Sequence, residues 1–110
     1  MMIKFFYFTD GSNPYMTYTE ERVYQMVMKY NPEMIDNNTF RIDMSNYLEP
    51  VKTREAKKWR FREFAIHWHH RAFSGDFEMS YDDLIQWQAF FATYGQKLGL
   101  LREFRENGIC

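Results

Sequence analysis

The sequence contains few of the residues that usually mark secreted, membrane or catalytic chains. Cys110 is its only cysteine, so no internal disulfide can form, which favours a reducing compartment such as the cytoplasm. The early apolar run, 5–8, is shorter than the roughly 7–15 residues of a signal peptide or the about 20 of a membrane span. We therefore expect a cytoplasmic protein with no membrane association and one compact domain, 1–110.

Catalytic signatures are missing as well. The five glycines are isolated, so there is no glycine-rich phosphate loop. Cys110 has no base placed beside it in sequence, and Ser74 and Ser80 are accounted for as turn and helix-cap residues. The carboxylates of Asp82 and Asp83 fall in the first turn of an expected helix, where the helix dipole favours negative charge. We expect no enzymatic activity and no cofactor.

Aromatic residues are abundant, at 20% of the chain, and the first half alternates strand and helix signals. Residues 3–9 and 39–44 predict two strands, which form only a thin sheet and need helices packed on them. Thr17 and Glu20 match a capping box, and Pro32 ends the helix between the strands.

The second half predicts helices. Thr53 caps a long helix that ends before Gly75, and Ser80 opens a second one with an apolar stripe at helical spacing. A short final helix ends at Gly108. The predicted fold class is α+β: a small two-stranded sheet packed against helices, with a C-terminal antiparallel pair of long helices. The apolar stripe consists of Leu84, Trp87, Phe91, Tyr94 and Leu98.

The segment 52–73 differs from the rest of the chain. It carries seven of the 14 Lys and Arg residues, two of the 15 acids and all three histidines, a net charge of about +5 against −1 for the whole chain. On a helical wheel, one face of this segment is apolar, and we expect it to pack in the core. The opposite side holds a second apolar stripe, which is either sandwiched inside the fold or exposed to a partner. The core face comprises Phe61, Phe64, Ala65, Trp68 and Ala72, and the candidate partner-binding set comprises Trp59, Ile66 and Phe73 with Tyr24 and Met28 of the first helix.

Two alternatives use other residues of the same segment. A nucleic-acid-binding protein would use the basic end of the helix and stack Trp59 on a base, although the near-neutral total charge argues against a general nucleic-acid coat. A metal-dependent hydrolase would use Glu63, His67 and His70, with a fourth ligand from Asp76 or Glu78. His67 and Glu63 also fit an ordinary i, i+4 contact. The basic set is Lys52, Arg54, Lys57, Lys58, Arg60 and Arg62.

The leading hypothesis is a small non-enzymatic protein that binds a protein partner. Surplus Tyr, Trp, Met and Arg, the types enriched in interface cores, motivate it. Short chains of this kind are common among phage and mobile-element products that inhibit host machinery, including anti-CRISPR proteins. The acids outside segment 52–73 would also suit a partner that handles nucleic acid. The sequence sets neither the identity of the partner nor the oligomeric state.

Overall fold

The computed structural model of the chain has two compact units, Met1–Pro50 and Val51–Cys110. The predicted single domain stays a prediction. The structure describes residues 2–5, 7–8, 16–30, 32–36, 39–42, 51–75 and 79–110.

Where the structure describes it, the N-terminal unit contains short strands and one helix. Its described elements are β1 (Met2–Phe5), β2 (Tyr7–Phe8), β3 (Met16–Thr19), α1 (Glu20–Tyr30), β4 (Glu33–Asp36) and β5 (Thr39–Ile42).

The described strands form two sheets rather than one. β1 and β3 pair antiparallel, whereas β2 pairs parallel with β5, and β5 pairs antiparallel with β4. The predicted pairing of the two strands is confirmed for β2 and β5, where Tyr7 lies opposite Arg41 and Phe8 opposite Ile42. The single strand 3–9 was wrong, because β1 and β2 belong to different sheets. Its nearly continuous apolar sequence has no alternation that would reveal the change of partner.

Helix α1 begins later than predicted. Thr17 lies in β3, and the capping residue is Thr19, whose Oγ1 accepts a hydrogen bond from the Arg22 N–H at 3.3 Å. The capping box at Thr17 was therefore wrong. Its threonine and glutamate spacing is present, but the chain enters the helix directly from a strand. Val23, Met26 and Val27 form the buried face of α1.

Strand β4 was missed because it has only four residues and follows a proline. Met34 lies opposite Phe40 in the ladder, and both are buried. On the wet side, Arg41 Nη2 and Glu33 Oε2 form an ion pair at 2.8 Å. Burial alternates along β5, as in a strand with one wet face, and the last two residues of the predicted second strand lie outside the described residues.

The described residues of the C-terminal unit form three helices: α2 (Arg54–Ala72), α3 (Tyr81–Lys97) and α4 (Leu101–Glu106). Both predicted caps are confirmed. Thr53 Oγ1 accepts from the Ala56 N–H, and Ser80 Oγ accepts from the Asp83 N–H, each at 3.1 Å. These bonds satisfy backbone donors that the first turn of a helix leaves without a partner.

Helices α2 and α3 pair antiparallel through aromatic side chains, as predicted. Trp68, late in α2, lies 5.9 Å from early Trp87 between ring centroids, and Phe61 lies 6.4 Å from Tyr94. At the open end of the pair, Arg54 Nη2 donates to the Lys97 carbonyl at 3.3 Å. Large rings at each level therefore set the separation of the two helices.

The turn from α3 into α4 depends on glycine twice. Gly99 has φ +75°, and the N–H groups of Gly99 and Leu100 donate to the carbonyls of Gln96 and Gly95. This is the Schellman arrangement that ends a helix. Gly95 itself faces the Phe104 ring, which packs against it from α4. The turn thus places Phe104 in the aromatic core.

The α+β class is confirmed, because the described chain contains strands in its first unit and helices in both units.

Candidate interaction surface on helix α2

Helix α2 has two apolar faces with opposite environments. Phe61, Phe64, Ala65 and Trp68 are buried against α3 and α4, as the core-face prediction required. Ala72, the last member of that face, is partly buried. The core of the C-terminal unit is therefore already formed without the second apolar stripe.

The second stripe is exposed. Trp59, Ile66 and Phe73 have 60%, 51% and 56% of their surface in contact with solvent. They recur every seven residues, so they lie on nearly one line along the helix, which drifts only about 20° per heptad. Of the two alternatives for these residues, the exposed patch is the one the structure shows. We call these three residues the exposed stripe.

Trp59 is held in position despite its exposure. The Arg62 guanidinium lies 5.7 Å from the centre of the Trp59 ring, a cation–π distance. Arg62 Nε in turn donates to Glu103 Oε2 of α4 at 2.7 Å. This hydrogen bond is the main reason that the pKa of Arg62 is raised, with burial opposing it. The Trp59 ring therefore contacts a guanidinium group whose position is fixed by a hydrogen bond to α4.

Phe73 is ordered in a similar way at the other end of the stripe. It is the C-cap residue of α2, and its N–H donates to the His69 carbonyl at 3.1 Å. Its ring meets Trp68 edge-on at 6.4 Å and lies 4.9 Å from the His69 ring. Contacts with neighbouring side chains therefore hold the aromatic rings at both ends of the exposed stripe.

A groove runs beside the middle of the stripe, between α2 and α4. Its volume is about 540 Å³. The Asn107 side-chain amide donates to the Glu103 carbonyl at 2.8 Å on the α4 side. Ile66 and Ile109 supply the apolar part of the groove lining, and the other lining side chains are polar or charged. The lining residues are Arg62, Ile66, His69, Glu103, Asn107 and Ile109.

The other two residues of the predicted partner-binding set lie in the N-terminal unit. Tyr24 and Met28 are on α1 and both are partly buried. Burial raises the pKa of the Tyr24 hydroxyl. Their place in a partner-binding surface stays a prediction.

The basic residues lie at the start and in the first half of α2, as the wheel indicated, with Lys52 just before the capping Thr53. Arg54 bonds the Lys97 carbonyl and Arg62 bonds Glu103, so both have polar partners within the unit. Lys52 is exposed, while Lys57, Lys58 and Arg60 are partly buried. Nucleic-acid binding through this set stays a prediction.

The histidine cluster contains an i, i+4 contact. His67 Nε2 lies 3.9 Å from Glu63 Oε2, and both side chains are largely exposed, as is His70. Within the described ranges, no group of three or more His, Cys, Asp or Glu side chains is arranged to hold a metal ion. The suggested fourth ligands, Asp76 and Glu78, lie outside those ranges.

Two features of this surface were missed from the sequence. The Arg62–Glu103 bond joins residues 41 positions apart, and no local pattern marks it. Tyr81 and Ile85 of α3 are 75% and 44% exposed, and their i, i+4 spacing outside the core stripe of α3 was the available signal. Their exposure adds apolar surface at the Phe73 end of the helix pair.

Comparisons with protein-family models, with curated proteins and with solved structures find no match to this chain. Within the part of the chain that the structure describes, none of the helices is both long and apolar enough to cross a membrane.

Proposed function

We propose that this chain is a small non-enzymatic protein-binding protein, and that the exposed stripe of α2 is its contact surface. The observation that carries the proposal is the exposure of Trp59, Ile66 and Phe73 on a helix that already packs its other apolar face in the core. Aligned large apolar side chains that the fold does not use are typical of interaction sites.

The residue types and their support fit a binding surface. Tryptophan and arginine are enriched among the residues that dominate binding energy in protein interfaces. The Glu103–Arg62–Trp59 chain of contacts holds the tryptophan before any partner arrives. Less side-chain freedom is then lost on binding, which favours affinity.

The charges near the exposed stripe indicate which kind of partner surface would complement it. The segment 52–62 carries six cations and one acid. The structure shows no ion pair for Lys57 or Lys58 within the residues it describes. The partner surface that fits is apolar along its centre and carries carboxylates beside the N-terminal half of α2.

The alternative partner is a nucleic acid, bound by the same cations with Trp59 stacked on a base. Protein binding is favoured because the stripe continues to Phe73, well beyond the basic half, and because Arg54 and Arg62 are bonded within the unit. The narrower hypothesis of a phage-type or anti-CRISPR inhibitor of host machinery stays a prediction.

Photo-crosslinking from α2 tests the proposal. A benzophenone amino acid replaces His70, which is exposed and lies about 20° from Trp59 on the helical wheel. The matched control carries the same probe at Thr93, an exposed position on α3. We expect the probe at His70, and not the one at Thr93, to yield protein crosslinks in living cells.

The products separate the candidate functions. Crosslinked bands that survive nuclease and disappear with protease support protein binding. Bands that nuclease removes contradict it and support the nucleic-acid alternative. Equal crosslinking from His70 and Thr93, or none from either, removes the support for α2 as a contact surface.

A further inference from the structure

We infer that the partner of the exposed stripe is a second copy of this chain, bound antiparallel with a two-fold axis at Ile66. This inference rests on the proposed function, since it names the partner of the same surface. The spacing of the stripe, the distribution of charge along the helix pair and the available apolar area support it.

The stripe is symmetric about its centre. Trp59 and Phe73 each lie seven residues from Ile66, on one line of the helix. A two-fold axis through Ile66 therefore places the Ile66 side chains of two copies together and sets Trp59 of each copy opposite Phe73 of the other. Such a contact is self-complementary, which is the requirement for a two-fold dimer. It also pairs aromatic with aromatic at both ends.

Charge is arranged in the same antiparallel sense. The segment 52–62, which enters and forms the N-terminal half of α2, has six cations and one acid, whereas the segment 71–85 has one cation and four acids. Of these acids, Asp82 and Asp83 lie in the first turn of α3. Antiparallel pairing of α2 with α3 puts that turn at the Phe73 end of the unit. Two-fold docking brings each basic end to the partner's acidic end, whereas parallel docking brings like charges together.

The apolar area of the exposed stripe sets the expected affinity of the dimer. At the observed exposures, the stripe offers about 300 Å² of apolar surface per copy. Two copies then bury about 600 Å² from the stripe alone, below the roughly 1,200 Å² of a small stable interface. The groove beside Ile66, lined in part by Ile109 and Asn107, and the flanking charged stems supply the remainder. We expect a weak dimer, with a dissociation constant of about 1–100 μM.

A charge-swap experiment at the axis tests this dimer. Sedimentation velocity over about 1–500 μM should show the wild-type mass rise from 13.6 kDa toward twice that value. Ile66→Glu and Ile66→Lys each place two like charges on the axis and should weaken association roughly tenfold or more. An equimolar mixture should regain association, because glutamate then faces lysine. Ile66 is half exposed, so both variants should keep the helical circular dichroism of the wild type.

The controls are Thr93→Glu and Thr93→Lys, which should associate like the wild type alone or mixed. A wild type that stays monomeric at the highest concentration overturns the dimer, as does strong association of either Ile66 variant alone. A mixture that gains nothing over the single variants overturns the placement of the axis. If the His70 probe captures a different protein while the wild type stays monomeric, the inference fails and the proposed function stands.

Discussion

Gly95 is a residue where one methyl group is expected to disturb the core. A Cβ at this position would lie 2.9 and 3.0 Å from two Phe104 ring atoms, and that ring is fully buried beside Phe61 and Phe91. We expect Gly95→Ala to lower the free energy of unfolding by about 1–3 kcal/mol, despite better helix propensity. Urea unfolding measures the change.

The control is the same substitution with a smaller side chain at 104. In a Phe104→Leu background, Gly95→Ala should cost clearly less, because the ring that it meets is gone. Equal costs in the two backgrounds would show that the contact does not explain the glycine.

Cys110 is expected to be a slow nucleophile. Burial raises the pKa of its thiol, and the Arg105 guanidinium works in the opposite direction. A raised pKa leaves less thiolate at a given pH, so alkylation should reach half its maximal rate at a higher pH than in a peptide of residues 107–110. The pH profile of iodoacetamide labelling, followed by mass spectrometry, measures this.

Arg105→Gln provides the matched variant. It removes the charge that lowers the thiol pKa, so the midpoint should move further up. A midpoint equal to that of the peptide, or one that falls in Arg105→Gln, contradicts this account of the thiol.

Residue-level prediction from the sequence succeeded where a local bond decides the outcome. Thr53, Ser80 and Gly108 were identified because caps and positive-φ turns depend on neighbours within about four residues. The Arg62–Glu103 bond could not be found this way, because it depends on how α4 lies on α2.

At the scale of elements, the start of α2 combines a stabilising cap with cations that the helix dipole disfavours. Arg54 and Lys57 lie in the first turn, where cations oppose the helix dipole. We expect Thr53→Ala to cost about 1 kcal/mol of unfolding free energy, since the Ala56 N–H loses its acceptor. Urea unfolding of the full chain checks it.

Thr53→Asp is the informative companion. Aspartate keeps the cap and adds a negative charge beside the first-turn cations, so stability should match or exceed the wild type, more so at low salt. If aspartate is as destabilising as alanine, the threonine contributes something other than a cap.

Long helices were easier to predict than short strands for a physical reason. Helices α2 and α3 repeat their apolar residues over several turns, which fixes both element type and buried face. Strands β3 and β4 have four residues each and gain their stability from partners elsewhere in the chain. The exposed stripe was found from the wheel, but its exposure depended on what packs against α2, which periodicity alone does not decide.

At the scale of the whole molecule, the unit Val51–Cys110 has an aromatic core of its own. Phe91 is buried there, and its ring contacts the buried rings of Phe61, Trp68 and Phe104. We expect a fragment 51–110 to be helical and to unfold cooperatively, although a chain of this size is marginal. Circular dichroism at 222 nm during heating measures it.

Trp87→Ala in the same fragment tests whether that core is the cause. Removing a fully buried tryptophan typically costs about 3–5 kcal/mol, comparable to the entire stability of a small unit. The variant should lose its cooperative transition. A wild-type fragment without helical signal would show that the unit depends on residues 1–50, in line with the predicted single domain.

The most direct test of α2 as a protein-binding helix is the crosslinking yield of the His70 probe with and without Trp59. Trp59 is 60% exposed and outside the core, so Trp59→Ala should leave the fold intact. We expect it to reduce the protein crosslinks roughly tenfold, as the loss of a binding hot spot does, while Thr93→Ala leaves them unchanged. An unchanged yield in Trp59→Ala, with folding verified by circular dichroism, would contradict the account.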